Sequence, residues 1–387
     1  MLFFWCGGYA LVACHSILKE TRRVVPHRTL LDAGQDQLAY WKYQSQIHLH
    51  ALTERRHEAE LEAIEASPFD QRALIVRWFS PELGASKRFH IYLPPGYAGS
   101  SECYPVLYLL RGHEREWLNV NEDTSREGKN ALDVYERLLI EGLVGPMILV
   151  MPSLTSDDGV VHGIGTDNLA PWLAHNAPGT GTGRWESYFV QDLIPFVDAH
   201  WRTHKSGAHR GVDGFSIGGA VAVKVAAKYP GLFRTVGAYD GTFFFTEEDG
   251  STVRADDPVL RSAIFDPAFG RERDLAHLTA NSPVNLILHG DPAVLQRLTW
   301  MIQYGPEQIE PWGSNFYRGE HLVAALKQRG IANALGNGVL PDGDHSWRTA
   351  GRHLALTLPI HWSILGAGSH VVSPAGATLS ALDRSQP

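Results

Sequence analysis

The 387-residue chain is 44% hydrophobic and 20% charged, with a formal net charge of −8, which fits one large α/β domain with additions or two average domains. The charge is spread along the chain instead of gathered in blocks, so no nucleic-acid-binding surface is expected. Three cysteines, Cys6, Cys14 and Cys103, make no disulfide framework.

Residues 1–18, "MLFFWCGGYALVACHSIL", form an apolar leader. It is long enough for a short secretory segment, lacks a basic start and is brief for a membrane span. "LVAC" at Leu11–Cys14 has the form of a bacterial lipoprotein cleavage box, which would place a lipid on Cys14. A leader that packs on the domain and a start codon placed too early are the alternatives, so the compartment stays open between cytoplasmic and exported. Membrane association is expected only through this lipid or leader. Residues 19–70 are predicted to be an N-terminal helical extension, polar and helix-favouring from about Leu30 to Ile64 and closed by Ser67-Pro68.

A domain over 71–365 follows. Strand-like runs come first, "ALIVRWF" from Ala73, "RFHIYLPP" from Arg88 and "YPVLYLL" from Tyr104, each bounded by Pro, Gly or Ser. Helix and strand patterns then alternate. "ALDVYERLLIEGL" from Ala131 reads as a helix, "MILVMP" from Met147 as a buried strand, and "WESYFVQDLIPFVDAHW" from Trp185 as a helix. "RGVDGF" from Arg210, "TVGAYD" from Thr235 and "LTWMIQY" from Leu298 read as strands. "GEHLVAALKQRG" from Gly319 is a helix closed by Gly330, and "ALGNGVLP" from Ala334 a last strand. This alternation predicts an α/β fold, a mostly parallel central sheet covered by helices on both faces. The long Gly-rich segment from Thr155 to Gly183 should lie over the carboxyl edge of that sheet, where such loops are functional or disordered. The tail, 366–387, is rich in Ser, Ala and Gly and is expected to fray.

"GFSIGG" places Ser216 between Gly214 and Gly218, where a strand gives way to a helix of small and branched residues. G-x-S-x-G in a strand–turn–helix setting is the signature of a nucleophile elbow. The glycines remove side chains that would collide across the turn, and the Ile217 N–H, at the helix N-terminus, would face a developing oxyanion. The alternative is a serine that only caps the helix. A serine nucleophile needs a base. In "PDGDHSW", His345 sits on a loop late in the chain, after the last predicted strand, with Gly343 for a tight turn. His48, His50 and His57 lie on the polar N-terminal segment with no partner cluster of the kind a metal needs.

The segments "RFHIYLPPGY…YPVLYLLRGHEREW", "LIEGLVGPMILVMP", "WESYFVQDLIPFVDAHWRT", "GFSIGG" and "GDHSW", in this order, resemble the esterase D-like "putative esterase" family of α/β-hydrolases. The resemblance covers roughly Arg88 to Trp347. It implies the α/β-hydrolase fold and an acyl-serine mechanism with Ser216 as nucleophile and His345 as base. For the acid it implies a position past "LTWMIQY". Glu307 is the first choice there and Glu310 the second, with Gln308 standing where many relatives carry Asp. Asp291 and Asp240 also follow strand-like runs. A second oxyanion donor is implied just past Gly112, at the His113 N–H. Trp117 is a candidate pocket residue, and Trp172, Trp185 and Phe243–Phe245 could line a pocket or belong to the core.

The function expected is a serine esterase acting on a small-molecule or carbohydrate-linked ester, with no metal or organic cofactor. An acyltransferase using the same acyl-enzyme and a non-catalytic binding module on the hydrolase scaffold are the alternatives.

Overall fold

Three antiparallel strands lead into a parallel sheet: β1 (Glu60–Ala66), β2 (Ala73–Ser80), β3 (Ala85–Tyr92), β4 (Val106–Leu110), β5 (Ile148–Pro152), β6 (Arg210–Gly214), β7 (Thr235–Tyr239) and β8 (Thr299–Gln303). The computed structural model describes residues 35–36, 38–40, 42–44, 58–246, 257–309 and 313–367. The apolar leader, the LVAC box, most of the expected helical extension and nearly all of the tail lie outside them. The eight strands are ordered β1-β2-β3-β5-β4-β6-β7-β8. β3 pairs antiparallel with both β2 and β5, and every pair from β5 to β8 is parallel.

All five residues of each of β4, β5, β6 and β7 are buried, as strands with both faces covered must be. In β4 the side chains alternate between two cores. Val106, Tyr108 and Leu110 join the core that contains Val221, Val223 and Val225 of α3 (Ile217–Lys228). Leu107 and Leu109 join the opposite core, with Leu132, Tyr135 and Leu138 of α1 (Ala131–Ile140) and Leu354 and Leu358 of α6 (Trp347–Leu365). Each fully buried aliphatic side chain of this kind contributes about 1.5–3 kcal/mol. α2 (Ile194–His200), α4 (Pro283–His289) and α5 (Gly313–Gln328) complete the helices that matter below.

Two elements differ from the sequence-based expectation. Residues 35–36, 38–40 and 42–44 are helical, but Glu60–Ala66 is a strand. Its Glu, Leu and Ala favour helix in isolation, yet main-chain pairing with β2 decides the outcome. Its glutamates keep the outer edge of the sheet charged, which discourages further pairing. The strand expected over "ALGNGVLP" is reduced to one isolated bridge, Tyr304 with Val339, with another just before it, Trp300 with Asn333. Gly336 and Gly338 have φ of 68° and 78°, a left-handed backbone that breaks the extended run.

The segment from Thr155 to Gly183 is folded onto the domain. Lys224 of α3 donates to the Thr166 hydroxyl at 2.7 Å and to the Gly165 carbonyl, and it sits 3.1 Å from Glu186. Burial pulls the Lys224 ammonium down to about 8 against the opposing pull of Glu186. On the other face of the sheet, Asp213 of β6 lies 3.3 Å from both His353 and His361 of α6 and accepts from Thr357 at 2.7 Å. Burial alone would raise the Asp213 carboxyl, but the two imidazoles outweigh it and hold the group far below the usual carboxylate range. Gln303 of β8 meets His353 at 2.8 Å, and Thr235 of β7 meets His361 at 2.6 Å. This polar seam sets the position of α6 on the sheet, and α6 begins two residues after His345.

Candidate active site

Ser216 stands between the last residue of β6 and the first of α3, with φ 59° and ψ −123°. A non-glycine residue in that region is strained, and such strain persists only where the surroundings impose it. The imposition is visible. A Cβ on Gly214 would run into the Gly218 carbonyl, and one on Gly218 would run into the Leu110 carbonyl at the end of β4. The two glycines of the motif are therefore demanded by close backbone contact. The serine side chain makes no capping hydrogen bond to the helix, which removes the reading of Ser216 as a simple cap. The residue is 7% exposed.

The elbow is tied to the end of β7. The Ser216 N–H donates to the Tyr239 carbonyl at 3.0 Å, and the Thr242 N–H donates to the Ser216 carbonyl at 3.2 Å. The first of the two residues between these contacts is Asp240, fully buried, with φ 44°. Its carboxylate accepts a short hydrogen bond from His345 Nδ1. The imidazole also packs on Phe215, the residue before the serine, with ring centroids 4.8 Å apart. The Tyr239 hydroxyl donates to the Asp344 carbonyl at 2.7 Å, fastening the histidine loop to β7. Past the histidine, the Ser346 hydroxyl accepts from the Thr349 N–H and starts α6. Asn315 of α5 places its amide 3.3 Å from the Asp240 carbonyl and 3.5 Å from its carboxylate. With Nδ1 engaged by Asp240, Nε2 is the nitrogen left for proton exchange with a serine hydroxyl.

The carboxylate beside His345 differs from the one expected. Glu307 is exposed in a turn beyond β8, and the carboxylate against His345 is that of Asp240. Glu310 lies outside the described residues. Asp291 caps a short helix from Pro292 to Leu295, accepting from the Ala293 N–H at 2.9 Å. Asp240 was legible as a carboxylate after a strand. Its pairing with His345 depends on β7 lying directly beside β6.

The Ile217 N–H, first in α3, has no backbone acceptor among the described residues and is available to an oxyanion. The His113 N–H is already engaged: it donates to Glu116 Oε2 at 2.5 Å, and the Gly112 N–H donates to the same oxygen at 2.9 Å. Trp117 is 3% exposed and packs edge-on against Trp347 at 5.0 Å, so it is chiefly a core residue. It also borders a cavity of about 610 Å³ between α1 and α6. Trp185 and Phe243–Phe245 belong to the core, while Trp172 stacks edge-on with Tyr40 at 5.1 Å. Among the described residues no cluster of His, Cys, Asp and Glu suits a metal, and no helix is long and apolar enough to cross a membrane.

A mostly parallel sheet with a strained serine at the β6–α3 turn defines an α/β-hydrolase fold. Solved structures agree. A ferulic acid esterase superposes with a TM-score of 0.58 at 21% identity, covering 80% of this chain and all of that one. An S-formylglutathione hydrolase from Agrobacterium tumefaciens superposes at 0.57 and 19% identity, covering 79% of this chain and all of that one. Residues 80–268 match the model of the family described as Putative esterase. An esterase of Mycobacterium tuberculosis is 28% identical over 234 residues, 59% of this chain. The matched stretch is 45% of that esterase's own length.

Proposed function

We propose that the chain is a serine esterase that cleaves carboxylic esters through an acyl-serine intermediate. The observation that carries this reading is the convergence of three chain-distant groups on the sheet edge: the strained Ser216, the His345 ring packed on Phe215, and the buried Asp240 bonded to that ring. Ser216 Oγ attacks the ester carbonyl while His345 Nε2 takes its proton. The tetrahedral oxyanion collapses, and the imidazolium returns the proton to the departing alkoxide. Water, deprotonated by the same nitrogen, then attacks the acyl-serine and releases the acid. Asp240 keeps the ring in the required tautomer and offsets its transient positive charge. The Ile217 N–H supplies one hydrogen bond to the oxyanion.

The family match and the relatives named esterase or hydrolase support the same chemistry. The test is Ser216→Ala, measured with p-nitrophenyl acetate turnover and fluorophosphonate labelling. Loss of both with an unchanged thermal midpoint is expected. Retained labelling in the variant would move the nucleophile elsewhere.

A further inference from the structure

The loop after β4 holds an anion of its own on the His113 N–H, the second donor that the proposed reaction needs free. Glu116 Oε2 receives both the Gly112 and the His113 N–H. Its side chain is 13% exposed, and its carbonyl is held by the Arg126 guanidinium. Behind the peptide there is no slack: a Cβ on Gly112 would lie 3.1 Å from both Glu116 Oε2 and His162 Nδ1. The loop also faces the elbow, since the Arg111 guanidinium carbon sits 5.3 Å from the centre of the Phe215 ring.

We propose that Glu116 is a gating residue, whose carboxylate must leave the His113 N–H before it can serve the oxyanion formed on Ser216. The inference rests on the esterase reading above. Its physical basis is exclusion. A carboxylate and a tetrahedral oxyanion are both negative, and both would need the same His113 donor. They cannot share it without a repulsion that cancels the stabilisation. In the resting protein the carboxylate satisfies donors that would otherwise be left without partners, which explains why such an arrangement is stable. A destination for the displaced group is at hand. Arg111 Nε is 3.6 Å from Glu116 Oε1, beyond hydrogen-bonding distance but close enough for a side-chain rotation to complete the pair. Substrates able to drive that exchange are then favoured over those that only fit the cleft.

The experiment compares wild type with Glu116→Gln and Glu116→Ala. A methyl trifluoromethyl ketone serves as the probe, because its hemiketal with serine carries the oxyanion. The gate predicts inhibitor binding about tenfold tighter in Glu116→Ala, the scale of one lost charge-assisted competitor. A smaller gain is expected in Glu116→Gln, whose amide oxygen still accepts but carries no charge. The kcat/KM for p-nitrophenyl acetate should rise in the same order. Equal or weaker inhibitor binding in folded variants overturns the gate and makes Glu116 a strut of the loop. If the alanine variant has lost its thermal transition, the glutamine variant decides. Wild type that neither turns over esters nor labels at Ser216 would instead bring down the esterase reading, and the gate with it.

Discussion

Replacing Asp240 by asparagine tests the site at the place where sequence and geometry part. Asp240 is fully buried, so no solvent can take over its role. It is the acceptor for His345 Nδ1, with the Asn315 amide braced 3.5 Å from the same carboxylate. An asparagine there can turn its amide toward Nδ1. The ring proton then moves to Nε2, and the imidazole can no longer accept a proton from Ser216. In a serine triad this loss is worth about 10⁴ in kcat, or about 5 kcal/mol of transition-state stabilisation at about 1.4 kcal/mol per decade. Glu307 is exposed, and Glu307→Ala should change the rate by no more than about twofold, as surface substitutions do. The assay is kcat for p-nitrophenyl acetate in both variants, with thermal midpoints measured alongside to separate catalysis from folding. An Asp240→Asn enzyme near wild-type rate, together with a crippled Glu307→Ala, would refute the argument from sheet adjacency.

Gly218→Ala forces a methyl group into the Leu110 carbonyl at the end of β4; we expect a loss of about 1–3 kcal/mol or more in urea unfolding, together with loss of esterase rate. Glu186, beside Lys224 and Lys228, shows its effect in pH. Burial alone would raise its carboxyl, but the two lysines and the Tyr229 hydroxyl bring it down to about 2. A carboxyl whose folded pKa is depressed stabilises the fold above its unfolded pKa and stops doing so as pH falls through the folded one. Glu186→Gln should therefore be less stable than wild type at pH 7, by up to about 3 kcal/mol, with the gap closing between pH 4.5 and about 2 in acid titration followed by circular dichroism. An unchanging gap across that range would show that the deficit is not linked to the charge. Asp213→Ala leaves His353 and His361 facing each other across an emptied seam, and the expected cost is about 3–5 kcal/mol in chemical denaturation.

Much of the fold is legible in the chain because its signals are local. β4, β5 and β7 are short apolar runs, apolar on both faces for the reason that both faces are covered. Ser216 is legible because its neighbours are: Gly214 and Gly218 have no alternative residue at the observed backbone spacing. β1 is not legible, since Glu60–Ala66 has the composition of a helix and becomes a strand only because β2 offers it an edge. Trp117 illustrates a different limit. An aromatic ring after a functional loop can face a ligand or the core, and its contact with Trp347 is a fact of three-dimensional packing alone.

The acid shows what kind of information a sequence withholds. Both β7 and β8 are followed by carboxylates, and chain order ranks them only by analogy. Sheet order ranks them by distance. β7 is hydrogen-bonded to β6, whereas β8 pairs with β7 and stands one strand further out, about 5 Å more. Because the Ser216 N–H is bonded to the Tyr239 carbonyl, the residue after Tyr239 is held beside the elbow by the sheet itself. The pairing of β7 with β6 thus accompanies the contact between Asp240 and His345. The same reasoning extends to the loop after β4, where the Phe215 N–H donates to the Leu110 carbonyl at 3.2 Å and brings Gly112, His113 and Glu116 toward the serine. Any shift of β4 against β6 would disturb the nucleophile and its proposed oxyanion donors together.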